Sequence, residues 1–152
     1  MAKPIKTLLL DEVKINAVKV IGDVNLVFID PSRGLREELV ANGKPYSNIF
    51  TDREGHRKQN LYSEKSFDLE IHTWVKADTD DKAREKAQLL DAEIQQQILP
   101  LTSSVRKYCQ YFEPQNENCS DILYDNEGLC VVISRYSVKY RHVYGNPTQQ
   151  NP

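Results

Sequence analysis

The chain has 152 residues, a formal net charge of −2, and charged side chains at 28% of its positions. This length fits one domain, which should bury about two-thirds of its unfolded surface and fold without disulfides or metals. Lysines and arginines are scattered among acids, so no basic stripe indicates nucleic-acid binding, and apolar runs such as Leu8-Leu9-Leu10 are far too short to span a membrane.

The three cysteines are expected to be free thiols of a reduced, cytosolic protein. Cys109, Cys119 and Cys130 lie ten and eleven residues apart, with no CxxC pair and no histidine close to them in the sequence. An odd number of cysteines leaves at least one unpaired, and this spacing does not suit a zinc site, which takes four ligands. Asp11 and Glu12 interrupt the apolar N-terminal run, so we expect no signal segment.

The first part of the sequence predicts a helix, a strand and a loop. Apolar residues at steps of three and four predict a helix over residues 5–21, with Gly22 ending it. The β-branched run at residues 24–29 predicts a strand, which the following Asp-Pro pair ends. Residues 32–44 are charged and include two glycines, so we expect a loop there.

A hairpin with a protruding polar tip is predicted next. Residues 47–51 have strand character, and residues 52–60 follow without one apolar side chain. Residues 61–76 then alternate apolar and polar side chains, which is the pattern of a strand with one buried face. Trp74 breaks this alternation, because it falls on the polar face.

The second half of the sequence predicts a long helix followed by strands. Acids at residues 78–81 favour a helix N-terminus, and apolar residues at steps of three and four continue to Pro100, which breaks the helix. Residues 122–124 predict a short strand, and residues 129–144 predict a long one whose apolar positions change parity near Ser134. That change predicts either a β-bulge or a strand that is covered on both faces.

Together these elements predict an α+β fold, with a mostly antiparallel sheet of about four to five strands packed against two main helices. We expect a single α+β domain over residues 1–145. Residues 146–152 carry no apolar side chain and are expected to form a flexible C-terminal tail.

The sequence contains no recognisable catalytic, cofactor or metal motif. His56, His72 and His142 fall in three different predicted elements, and His142 is at least eight residues, roughly 26 Å along a strand, from Cys130 or Ser134. A GxSxG elbow, a GxxxxGK[ST] loop, a GxGxxG turn and an HExxH helix are all missing from the sequence. We therefore expect a protein that is not an enzyme and that binds no cofactor.

Aromatic residues on polar strand faces instead indicate protein contacts. Aromatic side chains with a polar rim are typical of protein–protein interfaces. Six side chains are candidates for such an interface: Trp74, His72, Glu70, Tyr136, Tyr140 and Tyr144. A second layer of the same domain that covers these side chains is an equally open interpretation.

The polar tip of the hairpin is the second candidate contact surface. Arg53, His56, Arg57 and Lys58 supply its basic side chains, and two acids lie among them. A small basic cluster diluted by carboxylates is weak evidence for phosphate binding, so we expect the tip to contact a protein, with nucleic acid as the alternative.

Two stretches of the sequence carry a family resemblance. The first is Leu-Tyr-Ser-Glu-Lys-Ser-Phe-Asp-Leu-Glu-Ile-His-Thr-Trp-Val-Lys at residues 61–76, which leads into an acid-capped helix ending at Ile98-Leu99-Pro100. The second is Gly-Leu-Cys-Val-Val-Ile-Ser-Arg-Tyr-Ser-Val-Lys-Tyr at residues 128–140. With the order helix, strand, hairpin, long helix and C-terminal strands, the chain resembles the tail-terminator family of long-tailed phages. It departs from that family at residues 32–44 and 113–120.

The resemblance implies a structural virion protein at the head–tail junction, assembled in the host cytoplasm and without catalytic residues. Members of the family form hexameric rings that cap the tail tube, end its polymerisation and offer a surface to the head or neck. It implies a homo-oligomer whose partners are the tail tube protein and a neck or head-completion protein. DNA passes through the pore without specific binding, and no membrane is involved. The basic hairpin tip is then the contact with the tube or the neck.

Two other classes of function fit the sequence. One is a neck or head-completion protein of the same head–tail joint, and the other is a small enzyme with a site assembled from dispersed residues. In the terminator ring, we expect the strands at residues 61–76 and 129–144 to offer the edges that join neighbouring subunits.

Overall fold

The computed structural model describes residues 2–26, 45–59, 61–115, 120–126 and 128–151, with the backbone alone for residues 23–26 and 120–126. Two α-helices and seven strands account for most of this part of the chain. Helix α1 spans Ile5–Val18, helix α2 spans Asp80–Ile98, and a short 3₁₀ helix spans Ser104–Tyr108. None of these helices is long and apolar enough to cross a membrane. The predicted α+β class is confirmed.

The seven strands form one mostly antiparallel sheet. Their bounds are β1 Asp23–Leu26, β2 Tyr46–Gln59, β3 Tyr62–Lys76, β4 Tyr111–Pro114, β5 Ser120–Asn126, β6 Leu129–Val143 and β7 Asn146–Gln150. The main path runs β1-β2-β3-β6-β4, while β5 and β7 pair with other parts of β6. β1 and β2 are parallel, and the remaining pairs are antiparallel. The predicted four to five strands correspond to the main path, which two short strands extend.

The long strands β3 and β6 form the centre of the sheet. They pair without interruption from Tyr62 opposite Val143 to Lys76 opposite Leu129. The change of parity near Ser134 is therefore not a β-bulge. Residues 129–134 are all buried, so this half of β6 is covered on both faces, which was the second predicted alternative.

Both helices pack on the same face of the sheet. Because their apolar residues recur at steps of three and four, each helix presents one apolar stripe to the strands. The largest cluster joins the two helices to Phe67, Leu69 and Ile71 of β3 and to Tyr136 and Val138 of β6. The buried helix residues are Ile5, Leu9, Val13, Asn16 and Ala17 of α1 and Ala83, Ala87, Asp91, Ile94 and Ile98 of α2.

The helix ends follow from local hydrogen bonding. Thr79 caps α2, since its side-chain oxygen accepts from the Lys82 N–H at 3.3 Å, and acids in the first turn favour the positive end of the helix dipole. Helix α1 ends at Val18, before the predicted Gly22. The N–H groups of Val20 and Ile21 both donate to the Ala17 carbonyl oxygen, which closes a tighter turn without a left-handed glycine.

Hydrogen bonds of polar side chains tie α2 to the sheet. Ser134 on β6 donates its hydroxyl to the carboxylate of Asp91, and Gln95 donates to the same carboxylate at 2.9 Å. At the other end of the helix, the Gly128 N–H donates to Asp80 at 2.6 Å. Gly128 has φ 77° and a Cβ there would lie 2.2 Å from the Ala77 carbonyl oxygen, so only glycine fits.

Two predictions about irregular segments are wrong. Residues 52–59 were expected in a loop-like tip, but they continue β2, with Arg57 opposite Glu64 and Gln59 opposite Tyr62. Residues 146–150 were expected in a flexible tail, but they form β7 against the end of β6. Both segments lack apolar side chains, and backbone pairing to a long neighbouring strand orders them. The loop predicted at residues 32–44 lies outside the described residues.

Candidate interaction surface at the end of the hairpin

The end of the β2–β3 hairpin exposes a leucine and a tyrosine beside a lysine. Leu61, in the turn, is 81% exposed, and Tyr144, just after β6, is 52% exposed. The Tyr144 N–H donates to the Leu61 carbonyl oxygen at 3.0 Å, which holds the end of β6 against the turn. The Lys58 ammonium nitrogen lies 4.4 Å from the centroid of the Tyr144 ring, within cation–π distance. We call Lys58, Leu61 and Tyr144 the hairpin-end patch.

The predicted basic residues line the exposed half of β2. Arg53, His56, Arg57 and Lys58 are all exposed. A β-bulge shifts the register between Asp52 and Gly55, and Arg53 adopts the left-handed φ of 51° inside it. A bulge bends a strand and increases its twist, so these side chains are turned relative to the inner half of β2.

Ion pairs surround this half of the strand. Glu54 pairs with Lys6 of α1, and the Lys6 nitrogen also lies 5.2 Å from the Phe67 ring centroid. Burial lowers the pKa of Lys6. Arg53 lies 3.7 Å from Asp68, a distance at which an exposed pair contributes about 0–1 kcal/mol. Because the Glu54 carboxylate is matched by Lys6, the charge left on this half of β2 is positive.

The outer edge of this half of β2 has no strand beside it among the described residues. β1 pairs with β2 only from Tyr46 to Ile49, while β3 occupies the other edge along the whole hairpin. The expected joining edges were those of β3 and β6. That expectation is wrong, because β3 lies between β2 and β6, and β6 lies between β3 and the strands β4, β5 and β7. We call residues 51–59 the free edge of β2.

Three of the six candidate interface residues lie inside the chain. Trp74 is 4% exposed and packs with Tyr46, Leu129, Val131 and Ile133 on the sheet face opposite the helices. Tyr136 and Tyr140 belong to the core beneath the helices, at 0% and 7% exposure. Their assignment to a subunit interface is therefore wrong, and the alternative of coverage by the same domain holds. A sequence cannot distinguish these two kinds of burial.

The remaining candidates divide between a polar cluster and the hairpin end. Glu70 and Arg135 form an ion pair at 2.9 Å on neighbouring strands, and His72 lies 3.9 Å from Glu70. These side chains are half-buried and support the sheet. Tyr144 is the exposed aromatic of the six, and it lies beside Leu61, which the sequence pattern had placed at the start of a strand. An apolar residue directly after a polar run was the available signal.

Titratable groups in the described part of the chain are dispersed. His56 is exposed and lies 3.1 Å from the Ser63 hydroxyl, whereas His142 is buried and bonds to the Val143 carbonyl oxygen at 2.8 Å. Cys109 and Cys130 are free thiols, and burial raises the pKa of Cys109 to about 11 and also raises that of Cys130. Cys119 lies outside the described residues. No group of three potential metal ligands occurs within the described ranges.

No protein-family model matches the sequence, and no curated protein matches it. We therefore infer function from the surfaces of the molecule and from the resemblance of its sequence pattern.

Proposed function

We propose that this chain is a tail-terminator protein of a long-tailed phage, a structural subunit whose ring caps the tail tube and ends its polymerisation. The hairpin-end patch carries the proposal. It presents Leu61 at 81% exposure beside Tyr144 at the end of a hairpin with strands of 14 and 15 residues. Exposed apolar and aromatic side chains within a charged rim suit a protein contact. The order of helix, strand, hairpin, long helix and C-terminal strands supports the same family.

Repetition of the hairpin-end patch around a ring explains how such a small contact surface can bind its partner tightly. A ring repeats each surface once per subunit, so contacts that are weak singly become tight together through effective concentration. Head-to-tail contacts give the ring two different faces. One face carries the hairpin-end patch and binds the last layer of tube subunits. The other face lacks the tube's stacking surface, so no further subunit adds, and it receives the neck or head-completion protein.

The basic side chains of β2 and the overall acidity have separate roles in this proposal. Lys58 of the hairpin-end patch and His56, two residues before it on β2, complement acidic groups of the tube or the neck. We expect the residues that face the lumen of the ring to be acidic on balance, consistent with the net charge of −2, so that the lumen repels the phosphate backbone. DNA then passes without specific binding. The protein needs no cofactor and no catalytic group for this work.

The proposal is tested by deleting the gene from its phage genome and examining tails by electron microscopy. We expect overlong tubes of variable length that are not joined to heads, with normal tails restored by the wild-type gene supplied in trans. Tails of normal length attached to full heads would exclude the proposal. Tails of normal length without heads would identify the protein as a neck or head-completion protein instead.

The hairpin-end patch is tested with the substitution Leu61→Asp in the complementation assay. A charge at the centre of an apolar contact is costly, so this variant should fold and form rings but leave tubes overlong. Leu101→Asp is the matched control, because Leu101 is 84% exposed in the turn after α2 and is not part of the patch. If both variants restore normal tails, the patch does not contact the tube.

A further inference from the structure

Among the described residues, the outer half of β2 and the strand β5 each leave one edge without a neighbouring strand, and the two segments carry opposite net charges. On one side, the free edge of β2 carries three lysine or arginine residues and two acids over residues 51–59. On the other side, β5 pairs only with β6 among the described residues. The strand β5, residues 120–126, contains no lysine or arginine and two acids, Asp121 and Asp125.

We propose that the free edge of β2 binds the acidic β5 edge of a second copy of this chain, so that neighbouring sheets join edge to edge. The proposal rests on the ring function and specifies how the ring is built. The occupant is a second copy because both halves of the contact, a basic edge and an acidic edge, are found on the same sheet. Unpaired strands that meet satisfy their backbone N–H and C=O groups, and opposite charges across the pair fix the partner.

This contact has the symmetry that a ring requires. The two edges lie on opposite sides of the sheet, so each copy uses one edge toward each neighbour, and the contact is head to tail. Such contacts close into a ring when the rotation between neighbours divides a full turn. The bulge at Arg53 and the scattered charges would make this edge a poor template for indiscriminate pairing. They permit pairing with a complementary edge and discourage pairing of β2 with β2.

The test uses charge reversal on each edge of the full chain. Arg53→Glu with Arg57→Glu makes the β2 edge acidic, and Asp121→Lys with Asp125→Lys makes the other edge basic. In a solution of either double variant alone, the two edges that meet carry the same charge and repel each other. The protein concentration at which half of the chains are assembled should therefore be at least about tenfold higher than for the wild type. Lys82→Glu with Lys86→Glu is the matched control, since both lysines are exposed on α2. Sedimentation or native mass spectrometry gives the assembly state.

Mixing the two edge variants provides the decisive measurement. In an equimolar mixture, each acidic edge of one variant meets a basic edge of the other, so rings should reappear with the two chains alternating. Recovery on mixing also shows that both variants were folded. Backbone amides of residues 51–59 should exchange more slowly with solvent in the wild-type ring than in the separate variants.

The possible results distinguish a failure of the edge contact from a failure of the proposed function. A wild-type ring whose assembly is insensitive to both edge reversals excludes edge pairing and leaves the terminator proposal intact. Failure of mixing to restore assembly, with both variants folded by circular dichroism, excludes it equally. A wild-type chain that stays at 17.5 kDa at every concentration excludes the ring itself, and with it both proposals.

Discussion

The indole ring of Trp74 lies nearly parallel to the ring of Tyr46, with centroids 6.2 Å apart and planes inclined by 8°. The two residues are directly opposite each other on β3 and β2. Both are buried, with Tyr46 at 0% and Trp74 at 4% exposure. The pair therefore anchors the sheet face that lies away from the helices, and it makes Trp74 a determinant of folding.

Trp74→Ala should destabilise the isolated chain by about 3–5 kcal/mol, because removing a buried aromatic ring loses apolar burial and leaves a cavity. Denaturant unfolding of the variant measures this loss. Tyr144→Ala is the control and should change stability by no more than about 0.5 kcal/mol, since Tyr144 is half exposed. If the Trp74→Ala variant has wild-type stability but assembles more weakly, Trp74 lies at a subunit interface and not in the core.

Ser134→Ala should destabilise the chain by about 1–3 kcal/mol, because it removes a hydroxyl donor from the buried carboxylate of Asp91. The expected change appears as a lower denaturant midpoint with the same slope. Ser137→Ala, three positions along the same strand and only half-buried, should cost less than about 0.5 kcal/mol. Equal losses for the two variants would show that the bond to Asp91 does not hold α2 on the sheet.

The hydrophobic periodicity of the sequence predicted those helices and strands that bury one face against the rest of the domain. α2 and β3 were found because buried positions in each recur with the period of that element, and β3 begins and ends within a residue of its predicted bounds. The outer half of β2 and the strand β7 carry no such pattern. Their order comes from backbone pairing with the adjacent strands β3 and β6, and backbone pairing leaves no apolar periodicity in the side chains of the paired segment.

The sequence predicted only some of the residues that form the candidate interaction surface. Arg53, His56, Arg57 and Lys58 were identified because charged residues without apolar neighbours are exposed wherever the chain places them. Leu61 and the free edge of β2 were missed. The exposure of Leu61 depends on where the hairpin turns, and the freedom of an edge depends on the order of strands across the sheet, which is set by tertiary pairing.

The bulge in β2 predicts an unusual order of stability for variants with substitutions at Arg53. The left-handed φ of 51° costs a residue with a Cβ about 1–2 kcal/mol, and a β-branched side chain suffers most. Arg53→Gly should therefore be as stable as the wild type or slightly more stable, although it loses an exposed ion pair with Asp68. Arg53→Val should be the least stable of the three. Denaturant unfolding gives the order, and a valine variant more stable than the glycine variant would show that β2 runs straight through this position.

Cys109 should react slowly with a disulfide reagent in the folded chain. Burial raises its pKa from 9.0 to about 11, so near pH 8 the reactive thiolate is roughly 100-fold scarcer than in the unfolded chain. The rate for folded protein should rise about tenfold per pH unit up to about pH 10, whereas the rate for chain unfolded in urea levels off near its lower pKa. Cys109→Ala assigns the slow signal.

The unfolded chain should contain three reactive thiols under non-reducing conditions, as its cysteine count predicts. A single reactive thiol would reveal a disulfide, and a folded Cys109 as fast as the unfolded one would show that the thiol is not buried against the 3₁₀ helix.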